Sequence, residues 1–254
     1  MNTLLLLLLD TRAPAGAHHH SGGMEAAVGT GLVTGLSGLE DFCQTRLRTS
    51  ARVAAAFAAA ACHLQADFPE RAPLPALASP DAPRADATRW TSPAPWAEPD
   101  GWPPPDLWGE LDAEFDARTP SAAMRAASRQ LGRGLLRLLR SLDLVTPWAR
   151  GGTSPHHPLV LGAGIHLAGG TPELAARAAA LAACAGPASA AVRLLGLDPF
   201  AVQAMLARLA PSIDECARGA DLAGPPSSLP ADGAPALDLL ADFHLTAEVR
   251  LFAS

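Results

Sequence analysis

Apolar residues recur at three- and four-residue steps along most of the chain, the spacing of one face of an α-helix. The first run is six leucines, Leu4 to Leu9, ended by Asp10 and Arg12. Six apolar residues are too few for a signal-peptide core or for a bilayer span of about 20 residues. The run therefore predicts a short buried helix capped by Thr3. A second short helix is expected over 24–29, with Glu25 in its first turn. Leu36, Leu39, Phe42, Cys43, Leu47, Val53, Phe57 and Cys62 then predict one long helix over 36–64, with Arg46, Arg48 and Arg52 on its solvated face.

The pattern fails over 69–105, where eleven of the 24 prolines fall, interspersed with Trp90, Trp96 and Trp102. Proline at that density blocks helices and central strands, so an extended loop insertion is expected there. Helical spacing resumes with Leu107, Leu111 and Phe115. Pro120 suits the first turn of a following helix that reaches about residue 144. Its Gly132 and Gly134, like Gly162 and Gly164 of the apolar 159–167 stretch, predict close helix packing. Thr171-Pro172-Glu173 reads as a helix start, with Gly186-Pro187 as the stop. Further helices are expected over 189–195, 199–217 and 237–243. The sum is seven to ten helices and no strand: an all-α, single-domain bundle over 1–254 with a Pro/Trp-rich loop insertion.

Composition supports the helical reading and narrows the chemistry. All 19 basic residues among the 254 are arginine, with no lysine or tyrosine, a bias typical of a GC-rich coding sequence. Without lysine there is no phosphate-binding P-loop. The net charge of -6 argues against bulk affinity for nucleic acid or anionic membrane. Cys43, Cys62, Cys184 and Cys216 are widely spaced, forming neither a disulfide scaffold nor a zinc knuckle. No nucleophile elbow or paired His/carboxylate helix signature appears. His18, His19 and His20 sit together in a glycine-rich stretch, and His156-His157 opens a helix. Imidazole is a common ligand for nickel, copper or zinc, yet consecutive histidines on an extended segment point alternately, so capping and core roles stand beside metal contact.

Three short motifs carry a family likeness. Leu4 to Leu9 followed by Asp10, Arg12, Pro14, Gly16, His20-Ser21, Gly23 and Glu25 resembles the opening of the UreF family of urease accessory proteins, with Met24 in place of the usual leucine. Met124-Arg125, Ser128, Gln130 and Leu131-Gly132-Arg133 is similar to that family's Arg-x-x-Ser-x-x-Leu-Gly helix. His244 with Arg250-Leu251-Phe252-Ala253-Ser254 resembles its C-terminal ending, and the 156–169 stretch its His-Pro…Gly segment. Two positions depart from the pattern: His18 stands where an aromatic is common, and Asp198-Pro199 where a Gly-Gln is expected. The proline-rich tract has no counterpart.

The resemblance implies a helical, non-catalytic, cytoplasmic assembly factor. It would form a homodimer, bind the accessory protein UreD (also called UreH), recruit the GTPase UreG and help deliver nickel to apo-urease. It assigns partner binding to His18, Ser21, Glu25, His244, Arg250, Leu251, Phe252 and Ser254, with 244–254 as a partner-binding tail. Transient nickel contact falls to His19 and His20, with no tightly bound cofactor. The residues by themselves leave a transcriptional regulator or another helical adaptor open, although the N-terminal third offers no basic recognition helix.

Overall fold

The computed structural model describes residues 3–10, 20–66, 105–144, 146–148, 154–218 and 225–245. Among them are eleven α-helices, one 3-10 turn and no strand. The helices are α1 (Thr3–Leu9), α2 (Met24–Gly29), α3 (Leu36–Arg48), α4 (Ser50–Ala66), α5 (Pro105–Ala117), α6 (Ala122–Ser141), α7 (His157–Leu167), α8 (Pro172–Leu195), α9 (Pro199–Arg208), α10 (Ala210–Arg218) and α11 (Pro235–Leu245), with the 3-10 turn at Pro226–Ser228. The all-α expectation holds, at one helix above the expected range. The 69–104 part of the proline-rich tract lies outside the described residues, and Pro105 opens α5.

Two apolar cores lie on either side of α4. Val53, Phe57, Ala58 and Cys62 join Leu111, Phe115, Leu135, Leu139, Leu159 and Ile165 in one. Ala51, Ala55 and Ala59 join Met24, Leu39, Phe42, Cys43, Cys184, Met205 and Leu209 in the other. An alanine-rich helix with apolar residues all round can be buried on both faces, and α4 packs on both α7 and α8. Its small side chains set how closely those neighbours approach. A Cβ added at Gly162 of α7 would lie 2.1 Å from the Ala58 carbonyl oxygen, and one at Gly132 of α6 would lie 2.0 Å from that of Pro155. The close packing expected at these glycines is therefore present. Aromatic pairs fill the wider end of the first core: Phe57 meets Phe115 edge-on at 5.2 Å between centroids, and Trp108 meets Trp148 at 4.8 Å.

Several boundaries differ from the sequence expectation, each for a local reason. The 36–64 stretch is two helices, because Thr49 leaves helical geometry at φ -130°, ψ -108°. The 199–217 stretch also divides, at Leu209, where Pro211 lacks the N–H that would continue the ladder. Conversely, α8 runs through Gly186-Pro187 to Leu195 without stopping. Thr3 is the first helical residue of α1 rather than its cap, and Leu6 and Leu7 face outward while Leu5 and Leu8 are buried. The helix after Pro120 begins at Ala122, with Ser121 as its cap, and ends at Ser141.

By length and composition α8 is the one described helix able to cross a membrane. Here it packs against α2, α3, α4, α7 and α10, as a core helix does.

The glycine contacts separate helix propensity from packing. Alanine at exposed Gly109 in α5, where an added Cβ meets nothing within 4 Å, is expected to raise unfolding free energy by up to about 1 kcal/mol. Gly162→Ala has the same intrinsic gain but forces α7 away from α4, and a net loss of roughly 1–3 kcal/mol is expected. Denaturant unfolding of the two variants measures both signs.

Candidate functional site

The matched segments lie far apart in sequence, and the fold sets residues of two of them against α11. That helix packs against α2, which follows the 20–23 turn, and against α6, which carries the second motif. It ends at Leu245, just before the terminal residues of the third.

The N-terminal part is a tight turn. Gly22 and Gly23 have φ of 61° and 88°, a left-handed backbone that glycine adopts without penalty. The turn aims the Ser21 hydroxyl at the start of α2, where it accepts from the Glu25 N–H at 3.3 Å, while Met24 N–H donates to the Ser21 carbonyl at 3.2 Å. Ser21 is fully buried and Glu25 half-buried. His20 is buried as well, beside His157 at the first residue of α7. Burial, reinforced by His20, pushes the His157 imidazole down to about 4.

Beneath this turn lies a residue that sequence reasoning placed wrongly. Arg46 was expected on the solvated face of α3, yet it is only 8% exposed. Its Nε donates to the Ala183 carbonyl and an Nη to the Gly22 carbonyl, each at 2.9 Å. Pro187 explains the first contact. Without an N–H it leaves Ala183, four residues earlier, without its helical partner, and the guanidinium occupies that position. Helix α8 therefore passes through a proline that was expected to stop it. Desolvation holds the Arg46 pKa below its usual value, while Asp238 of α11 opposes that shift. The signal in the sequence was the proline itself, since an interior helix proline creates an acceptor that needs a donor.

The second motif forms a polar seam. Ser121 caps α6 by accepting from Met124 N–H at 3.2 Å. Asp242 of α11 adds a second cap, accepting from the Ser121 hydroxyl at 2.6 Å and from Ala123 N–H at 3.1 Å. A carboxylate at a helix N-terminus is favoured by the exposed N–H groups and the dipole, and these hydrogen bonds hold Asp242 below the usual carboxylate range. Further along α6, Ser128 accepts from the His157 N–H at 3.2 Å. Arg129 donates to Asp112 at 2.9 Å, to Asp116 at 2.6 Å and to the Ser154 carbonyl at 2.7 Å. His156, fully buried, has Nε2 3.0 Å from Asp116 and its main-chain N–H on Asp112 at 2.9 Å. Burial lowers its pKa, with Asp112 opposing. Asp112 and Asp116 of α5 are thus engaged by Arg129 and His156, and the seam fixes where α7 starts.

His18 and His19 lie outside the described residues, as do Arg250, Leu251, Phe252 and Ser254; the side chain of His244 is also outside them. Among the described residues no three His, Cys, Asp or Glu side chains converge as a metal cluster. On the surface, Leu239 and Phe243 of α11 stand one turn apart, 71% and 63% exposed.

The fold and this convergence define a helical protein in which α11 packs on α2, which follows a glycine turn, and on α6, whose start its Asp242 caps. The UreF family matches residues 33–210. Over 251 residues the chain is 38% identical to the urease accessory protein UreF of Mycolicibacterium vanbaalenii, covering 98% of this chain and 97% of that protein. It is 38% identical over 253 residues to that of Mycobacterium sp. (strain JLS), and 35% identical over 251 residues to that of Mycobacterium tuberculosis (strain ATCC 25177 / H37Ra), covering 99% of this chain and 98% of each relative. The chain belongs to the UreF family of urease accessory proteins.

Two measurements follow from the site. Arg46→Met removes the donors of Gly22 and Ala183 in a buried place, and a loss of about 2–4 kcal/mol is expected, with faster amide exchange over residues 24–29. A global loss without that local acceleration would separate Arg46 from the turn. For pH, the unfolded His157 binds a proton more readily than the folded one. Stability should therefore be level above about pH 6.5 and fall as pH drops toward about 4. In His157→Gln the slope of unfolding free energy against pH should flatten across that window.

Proposed function

We propose that this protein is a non-enzymatic scaffold of urease maturation. In this reading it bridges UreD/UreH and UreG, works in the cytoplasm as a homodimer, and assists nickel delivery to apo-urease. The observation that carries the proposal is the near full-length likeness to relatives named urease accessory protein UreF. Support comes from the packing of α11 on both α2 and α6, which carry residues of two matched segments. Leu239 and Phe243 give that helix an exposed apolar strip, and the chain continues from it into Arg250, Leu251 and Phe252. Aromatic and aliphatic anchors beside an arginine are the composition of a protein-binding hot spot. Ser21 and Glu25 act in this scheme from inside, by shaping the turn before α2, whereas His18, His244, Arg250, Leu251, Phe252 and Ser254 supply direct contact with the partner. Nickel is the cargo, with His19 and His20 as transient contacts.

The test is genetic and biochemical together. In a strain lacking its own UreF, this gene should restore urease activity and nickel content of urease, and a tagged chain should retain UreD/UreH. Leu239→Asp with Phe243→Asp should reduce that co-purification at least tenfold while leaving the helical circular dichroism unchanged. Failure to complement at normal expression, or full retention by the double variant, would overturn the scaffold reading or the α11 surface respectively.

A further inference from the structure

Cys43 of α3 and Cys184 of α8 are 141 positions apart and both completely buried. Each sulfur lies 3.9 Å from the other residue's carbonyl oxygen. This reciprocal crossing lays the two side chains alongside each other across the α3–α8 contact. Two cysteines can be bridged only when their Cβ–Sγ vectors do not diverge, and here each sulfur reaches to the other residue's main chain. The flanking residues are the ones that hold the N-terminal turn: Arg46 is one helical turn beyond Cys43, and Ala183 immediately precedes Cys184.

We propose that Cys43 and Cys184 are a redox modification site, a dithiol that hydrogen peroxide converts to a disulfide locking α3 to α8 beside Arg46. Cys184 is the attacking sulfur: the adjoining Cys43 and the Arg46 guanidinium hold its thiol below the usual range. Burial and Cys184 hold the Cys43 proton in place. In the first step the Cys184 thiolate attacks one peroxide oxygen, the O–O bond breaks, and the leaving hydroxide takes a proton to become water. The sulfur is then a sulfenic acid. Cys43 next attacks that sulfur, the S–O bond breaks, and the hydroxide released takes the Cys43 proton as a second water. Two thiols are oxidised by two electrons in total and one peroxide is reduced. Since both sulfurs are enclosed, the first step takes place when α3 and α8 part transiently, and the disulfide then closes the junction. Cys62 belongs to the other core, and Cys216 of α10 is the competing thiol on this side.

The test treats the reduced full-length protein with hydrogen peroxide and follows intact mass, free thiols after denaturation and the pairing of peptides. The expected product is 2 Da lighter, keeps two of four thiols, and yields one disulfide peptide joining residues 43 and 184. It should unfold at higher temperature than the reduced form and return to it with dithiothreitol. Cys43→Ser and Cys184→Ser should each abolish the 2 Da loss, whereas Cys62→Ser should retain it. Pairing of Cys184 with Cys216, four intact thiols, or oxygen addition without a disulfide would overturn the proposal. If the serine variants fold poorly, the peptide map of the unmodified chain decides alone.

Discussion

A buried guanidinium with two main-chain carbonyls organises the structure around it. Arg46 sits where α3, α8 and the 20–23 turn meet, and each of its two hydrogen bonds answers a vacancy created by a sequence choice. Pro187 frees the Ala183 carbonyl within a long helix, and the left-handed Gly22-Gly23 turn directs the Gly22 carbonyl inward. Desolvating an arginine is costly unless its donors are engaged. The residue, the proline and the turn therefore form one unit in which none is stable by itself. With that unit in place, Ser21 can cap α2, and α2 can pack on α11.

The rest of the fold depends on smallness. Alanines of α4 and glycines of α6 and α7 allow main chain to approach main chain, so α4 is enclosed by α7 and α8 with cores on both sides. Polar groups at the starts of α6 and α7 are satisfied by neighbouring elements. Asp242 caps α6 from α11, and Ser128 accepts from the first N–H of α7. These cross-element caps fix the order of assembly in space, and the matched motifs meet for that reason.

Much of the helical content was legible because periodicity reports a local property. The short α2, the start of α8 at Thr171-Pro172 and the close approach at Gly132 and Gly162 follow from residue type and spacing. Errors arose where a residue's state depends on distant partners. Arg46 reads as solvated on any helical wheel, since nothing within α3 announces that Gly22 and Ala183 will face it. Gly186-Pro187 reads as a stop, because the donor replacing the missing hydrogen bond comes from 137 residues away. For the candidate site, the sequence named Ser21 and Glu25, while the burial of His20 and the double capping of α6 were invisible in it.

The sequence by itself determined the helical class, the start of α8 at Thr171 and the family likeness. These rest on the chain's local preferences and on short motifs that survive a strongly biased composition. Tertiary structure alone decided that α11 packs on both α2 and α6, that an arginine becomes interior, and that two thiols lie side by side. Burial and hydrogen-bond satisfaction are properties of neighbours, and neighbours are assigned only when the helices pack.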